Sequence, residues 1–279
     1  MRQKIGGLIL HPFSPHDRDM IDCARIGEQM AGKKDDVPFD HWVIRDFFPR
    51  DLAETLESEF PDYDDSRWFS YDNAIERKKA LNQWSFFPSF TYRVLQELSS
   101  TGFVEMLGKQ VGVRLFPDAG LHGGGWHIHG PGGNLNPHLD YSIHPKLKLQ
   151  RKLNLIIYLS SSLKPEHGGH LGLWAPDPER QGPGELVREV APEFNTAVIF
   201  DTTQDSWHGL SQPLTQPAGV YRKSLAVYYL CEPSSDAPLR EKALFAPRDF
   251  QKGDPSVAEL IRRRADSVDF ASVYRVKSK

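Results

Sequence analysis

Between residues 111 and 230 glycine and proline cut the chain into short apolar segments, a punctuation that leaves no room for long helices or a βαβ alternation. Strand candidates are 111–116, 125–129, 153–159, 171–174, 186–190, 196–200 and 220–230. Strands this short and this closely spaced predict a sandwich or a barrel. A jelly roll satisfies the count. Its two facing sheets leave an open mouth where strand ends present side chains inward.

The flanks read differently. Ser14-Pro15 is a good N-cap and first-turn pair, and Gly32 closes the helical segment it begins. Pro49 opens a second helix through Leu52, Leu56 and Phe60, spaced by four. Residues 87–98 and 101–111 are two more helical candidates, whereas 63–84 is polar and aromatic with no clear period. Beyond Cys231 a proline-containing link leads to a helix opened by Asp254-Pro255, which carries Leu260, Ile261 and three arginines. The expected class is mixed α and β: a mostly helical region (1–110), a jelly-roll core (111–232) and a C-terminal extension (233–279).

Several function classes are excluded by composition. A net charge of −3 argues against a generic nucleic-acid surface. No apolar run approaches the roughly 20 residues that span a bilayer, and the apolar stretch near Met1 is too short for a signal peptide. With only Cys23 and Cys231 no disulfide framework is indicated, and a reducing, cytoplasmic setting is expected.

Within the core, His138-Leu139-Asp140 places two ligand-type side chains two residues apart, hence on one face of a strand. Pro137 biases Asn136 toward extended backbone. His208 follows in Asp205-Ser206-Trp207-His208-Gly209, after the apolar run Ala197-Val198-Ile199-Phe200. Two imidazoles and one carboxylate on one side of a metal leave the opposite side open, as in non-heme Fe(II) oxygenases. Arg222 falls within the long core strand candidate 220–230, with Ser224 on the same face. A guanidinium among inward positions calls for an anion, so Arg222 and Ser224 together could clasp a carboxylate set back from the metal.

Other residues compete for these roles. Trp126-His127-Ile128-His129 offers a His-x-His pair without a suitably spaced acid, and His129 is a candidate for lining the carboxylate pocket near Arg222, or is a solvated or core histidine. Arg151 could reach a substrate, although an outward salt bridge is the expected role. Tyr141, His144 and Trp207 flank ligands in sequence and are candidates for the substrate mouth or for packing. Gly123-Gly124-Gly125 lacks the strand–helix context of a nucleotide loop.

These pieces resemble the Fe(II)/2-oxoglutarate-dependent dioxygenase superfamily, in its prolyl-4-hydroxylase-like branch. The resemblance covers roughly 111–230 and rests on His138-Leu139-Asp140, the strand 151–159, Gly168-Gly169-His170-Leu171, His208 and Arg222-Lys223-Ser224. It implies a double-stranded β-helix, with iron bound by His138, Asp140 and His208. It also implies 2-oxoglutarate chelating that iron, its far carboxylate paired with Arg222. Tyr158 is a second candidate for that carboxylate, and Leu171 would pack on the co-substrate's methylenes. The implied activity is hydroxylation of an unactivated C–H bond with O2, releasing succinate and CO2, with ascorbate as a candidate reductant. The interval from His208 to Arg222 exceeds the prolyl-hydroxylase norm, and the loop 211–218 absorbs it. The substrate, an amino acid, prolyl residue or other small metabolite, free or peptidyl, is left open, as is the oligomeric state, a homodimer included. The competing function is a non-catalytic metal-binding jelly-roll module.

Overall fold

The computed structural model describes residues 4–5, 8–9, 20–266 and 273–274. Eight strands form its centre: β1 (Gly125–His129), β2 (His138–Leu139), β3 (Gln150–Tyr158), β4 (Leu171–Asp177), β5 (Gly182–Val190), β6 (Thr196–Asp201), β7 (Trp207–Leu210) and β8 (Arg222–Cys231). They fall into two antiparallel sheets, with orders β6-β3-β8-β1 and β5-β4-β7-β2. Apart from the β4–β5 hairpin, each successive strand crosses to the other sheet. This is the jelly roll, the double-stranded β-helix, that the punctuation predicts.

The main core lies outside this sandwich. Leu153, Leu155 and Ile157 of β3, Leu225, Val227 and Tyr229 of β8, and Trp126 and Ile128 of β1 turn away from the small sheet. They pack against helices α1 (Cys23–Gly32), α2 (Arg50–Ser58), α3 (Ser89–Leu98) and α4 (Thr101–Val111) through Ile26, Leu56, Val94, Leu98 and Phe103. Each fully buried aliphatic side chain there contributes about 1.5–3 kcal/mol. Because the helices cover the outer face, the inner face can carry polar chemistry. Between the sheets, Tyr158, Val198 and Phe200 meet Leu171 and Leu173.

Several boundaries differ from expectation. The segment 111–116 is not a strand: α4 runs to Val111 and Gly112 caps it in the left-handed region (φ 70°), so pairing begins only at Phe116–Pro117. The first helix starts at Cys23, where Asp22 accepts from the Arg25 amide; Ser14-Pro15 lies outside the described residues. The helical reading of the first third omits three strands. His41–Ile44 extends the large sheet beyond β6, and Glu76–Leu81 followed by Phe69–Asp72 extends it beyond β1. The C-terminal helix α5 (Pro255–Ala265) starts as expected, with Asp254 accepting from the Ser256 amide.

Candidate metal centre

His138 and His208 are direct partners across the β2–β7 ladder, their ring centroids 4.3 Å apart. Each imidazole is fixed from behind. Nδ1 of His138 donates to Asn136 O (3.0 Å) and Nδ1 of His208 to Ser206 O (2.8 Å). Both Nε2 lone pairs therefore point to the same space. Asp140 completes it, with Oδ1 3.9 Å from His138 Nε2 and Oδ2 3.9 Å from His208 Nε2. Among the described residues this is the one cluster of three or more metal-type ligands. Burial, and then the neighbouring His208, hold His138 well below its ordinary pKa, and burial lowers that of His208. Both rings are thus neutral and free to ligate.

The walls are aromatic and close. Phe245 stacks on His138 (4.9 Å, 17°) and Phe200 tilts onto His208 (4.6 Å). Gly209 must be glycine, because a Cβ there would lie 2.6 Å from Asn136 O, the carbonyl that anchors His138. Burial alone would raise the Asp140 pKa, but the Arg151 guanidinium and the two imidazoles hold it at about 2. Arg151 Nη1 lies 3.4 Å from Oδ1, and Asn154 Nδ2 lies 3.4 Å from Oδ2.

Arg151 corrects the expectation of an outward salt bridge. The register of β3 on β8 slips between Arg151 and Leu153, and this bulge at Lys152 turns Arg151 onto the inner face. There it is buried between the rings of Tyr141 (3.5 Å) and Tyr228 (3.4 Å) and donates to His122 O. Two mouth candidates do other work. Trp207 packs with Leu139 and Trp174 away from the triad, and His144 accepts the amides of residues 146 and 147 while facing Asp118.

The C-terminal extension supplies what sequence reading missed. Leu244–Phe245 pairs with β2 and forms the edge of the small sheet. Arg248 ties both ligand strands together: it donates to Asn134 Oδ1 (2.7 Å) and Asn136 Oδ1 (3.2 Å) before His138, and to Leu210 O (2.7 Å) and Ser211 O (2.9 Å) after His208. Arg240 donates to the backbone oxygen of Asp140. Arginines are not rare enough for composition to flag these. A second cleft, lined by Trp174, Leu186, Trp207 and Phe250, opens outside the small sheet and includes none of the triad.

Deeper between the sheets, Arg222 is buried with its Nε on Gly169 O (2.8 Å) and its guanidinium over the Tyr158 ring (4.8 Å). Among the described residues it has no carboxylate partner. Ser224 faces Tyr158 across the β3–β8 ladder, Leu171 packs with Tyr158, and His129 is opposite Arg222. The buried Tyr158 hydroxyl and the His129 ring nitrogens lie against Arg222 and, among the described residues, meet no acid. A buried cation ringed by polar atoms that meet no acid fits a bound carboxylate. The expected co-substrate residues are therefore assembled together.

A sequence profile identifies the central segment. The 2OG-Fe(II) oxygenase superfamily profile matches residues 124–230. This segment is a 2OG-Fe(II) oxygenase domain. Proteins of this family use Fe(II), 2-oxoglutarate and O2, and the donor set and the Arg222 pocket suit that pair. Among solved structures, the fold is similar to a prolyl-4-hydroxylase from Pseudomonas putida, at 16% identity and TM-score 0.50 over 76% of this chain and 99% of that one. It is also similar to prolyl 4-hydroxylases from Phytophthora capsici, at 19% identity and TM-score 0.51 over 94% of this chain and 84% of that one. No curated protein sequence is significantly similar to the chain. Among the described residues no helix is long and apolar enough to cross a membrane.

Proposed function

We propose that the protein hydroxylates an unactivated C–H bond of a small-molecule or peptidyl substrate. The observation that carries this reading is the buried triad with both imidazoles locked from behind, set beside a buried arginine that lacks an anion. His138, Asp140 and His208 hold the iron. Arg222 binds the far carboxylate of 2-oxoglutarate, with Ser224 and Tyr158 as hydroxyl donors, Leu171 against the methylenes and His129 lining the pocket. When bound, iron and 2-oxoglutarate supply the oxidising chemistry, with succinate and CO2 released. The chain's own work is to fix the ligands, keep the pocket dry with Phe200 and Phe245, and hold Asp140 ionised through Arg151. Residues 111–232 form the catalytic core in this reading, and the extension completes it. Two cysteines and the absence of a disulfide framework support a reducing compartment.

Succinate formation from 2-oxoglutarate with Fe(II), O2 and ascorbate is the test. His208→Ala should abolish it and weaken Mn(II) binding, whereas Arg222→Ala should weaken 2-oxoglutarate binding by about 100-fold and spare the metal. A protein that binds metal yet never forms succinate would instead be a non-catalytic binding module. Unchanged turnover in His208→Ala would sink the metal assignment.

A further inference from the structure

The strand Glu76–Leu81 carries a cation that the co-substrate site does not use. It pairs with β1, Lys79 opposite Ile128 and Ala80 opposite His127. Trp126 and Ile128 enter the outer core, so strand alternation sends His127, His129, Lys78 and Ala80 to the inner face. Continuing the register sets Lys78 beside His129, which is opposite Arg222. On its other side Lys78 is opposite Tyr71, and its Nζ rests over that ring at 5.3 Å. Tyr71, Lys78, His129 and Arg222 thus form one row across the pocket.

Lys78 is enclosed yet partly accessible, as a pocket-lining residue is. Among the described residues its ammonium makes no hydrogen bond or ion pair. The nearest acid on its own strand, Glu76, is engaged by Arg264 (3.0 Å). Lys79, on the other face, does find partners in Tyr63 O and Asp64. Burial keeps His127 and His129 neutral, and Lys78 and Arg222 push both further down, so the four groups share one space. The carboxylates whose fields reach Lys78 are Glu76, already paired with Arg264, and Asp140, which faces His138, His208 and Arg151. Iron and 2-oxoglutarate carry opposite and equal charge, so binding both leaves the excess of Lys78, Arg222 and Arg151 over Asp140 in place.

We propose that Lys78, with His127 and His129 beside it, binds an anionic group of the substrate, a carboxylate or a phosphate. This rests on the oxygenase reading above. Lys78 and Arg222 stand on strands two apart, about 10 Å between backbones, and Lys78 leans away toward Tyr71. A carboxylate seated on Arg222 therefore leaves Lys78 for a second anion.

Calorimetric titration of the Mn(II)- and 2-oxoglutarate-loaded protein with inorganic phosphate, and separately with acetate, tests this at constant ionic strength. At least one probe should bind the wild type, and the stronger one names the class. Lys78→Met should weaken that binding about tenfold or more and Lys78→Arg should retain it, with the Kd for 2-oxoglutarate unchanged in both. Three results overturn the inference: neither probe binds the loaded wild type; both proteins bind the probe equally; or Lys78→Met weakens 2-oxoglutarate instead. Failure of the wild type to take up Mn(II) or 2-oxoglutarate would overturn the oxygenase reading itself, a different result from its failing to bind the probes.

Discussion

Replacing Arg248 with methionine should damage the metal centre from outside. The guanidinium serves Asn134 Oδ1, Asn136 Oδ1, Leu210 O and Ser211 O at 2.7, 3.2, 2.7 and 2.9 Å, with Leu135 O a longer fifth acceptor at 3.3 Å; the four shorter bonds carry the magnitude. At the lower end for charged donors, about 1.5 kcal/mol each, these bonds contribute roughly 6 kcal/mol. Against them stands burial, which lowers the Arg248 pKa from 12.5 to about 10. Because one partly exposed guanidinium is shared among all these acceptors, the bonds are not additive and the net stabilisation is about 3 kcal/mol. Methionine keeps the packing of the stem and removes the bonds. The expected result is a fall in Tm of roughly 6–12 °C. Mn(II) affinity should fall about 10- to 100-fold, because the lost partners orient both histidine-bearing strands. Arg50→Met is the control: its pair with Glu54 is exposed, and the loss should stay within about 0.5 kcal/mol. If Arg248→Met melted and bound Mn(II) as the wild type does, the bridging role would be refuted.

Two further outcomes follow from the same geometry. Gly209→Ala drives a Cβ against Asn136 O and Leu135 O, so it should destabilise the protein by about 2 kcal/mol and weaken Mn(II) binding; an alanine variant with wild-type denaturation and metal affinity would show that the strands can part freely. Acid should weaken the metal-free protein earlier than carboxylates alone would. Burial lowers the pKa of His41, His127, His129, His138 and His208, and that of His122 to about 4, so the unfolded chain takes up protons first as pH drops below about 6.5. The stability these groups contribute is complete above that pH and falls below it, with Asp140 adding its own loss as pH falls from about 3.8 to about 2. Denaturation midpoints at pH 8, 6 and 5 check the sign; a midpoint that rose on acidification would contradict it.

The triad was legible because its chemistry is local: two ligands share one face of an extended segment, and the third follows an unmistakable apolar strand. Arg222 was legible as a charge inside an apolar run. Glu76–Leu81 was not, because a strand lining a polar pocket loses the apolar alternation that marks strands; its sequence is Glu-Arg-Lys-Lys-Ala-Leu. Arg151 was misplaced by one residue of bulge, which period-two reasoning cannot detect. The strand expected at 111–116 failed on a glycine, since Gly112 ends α4 where the apolar pattern alone reads on. Arg248 and Phe245 were invisible for a different reason. They act at a distance, Arg248 from 37 to 114 positions away from the residues it joins, and nothing in their own neighbourhood marks them.

That distance has a consequence for how the protein is made. All three ligands and Arg222 have been synthesised once residue 222 is in place, yet the ring stacked on His138 and the cation joining the two ligand strands come only at residues 245 and 248. A nascent chain therefore carries every donor atom before it can hold them rigidly. On the proposed assignment, a chain ending short of Arg248 should bind Mn(II) more weakly than the full chain, which lacks neither the ring nor the cation.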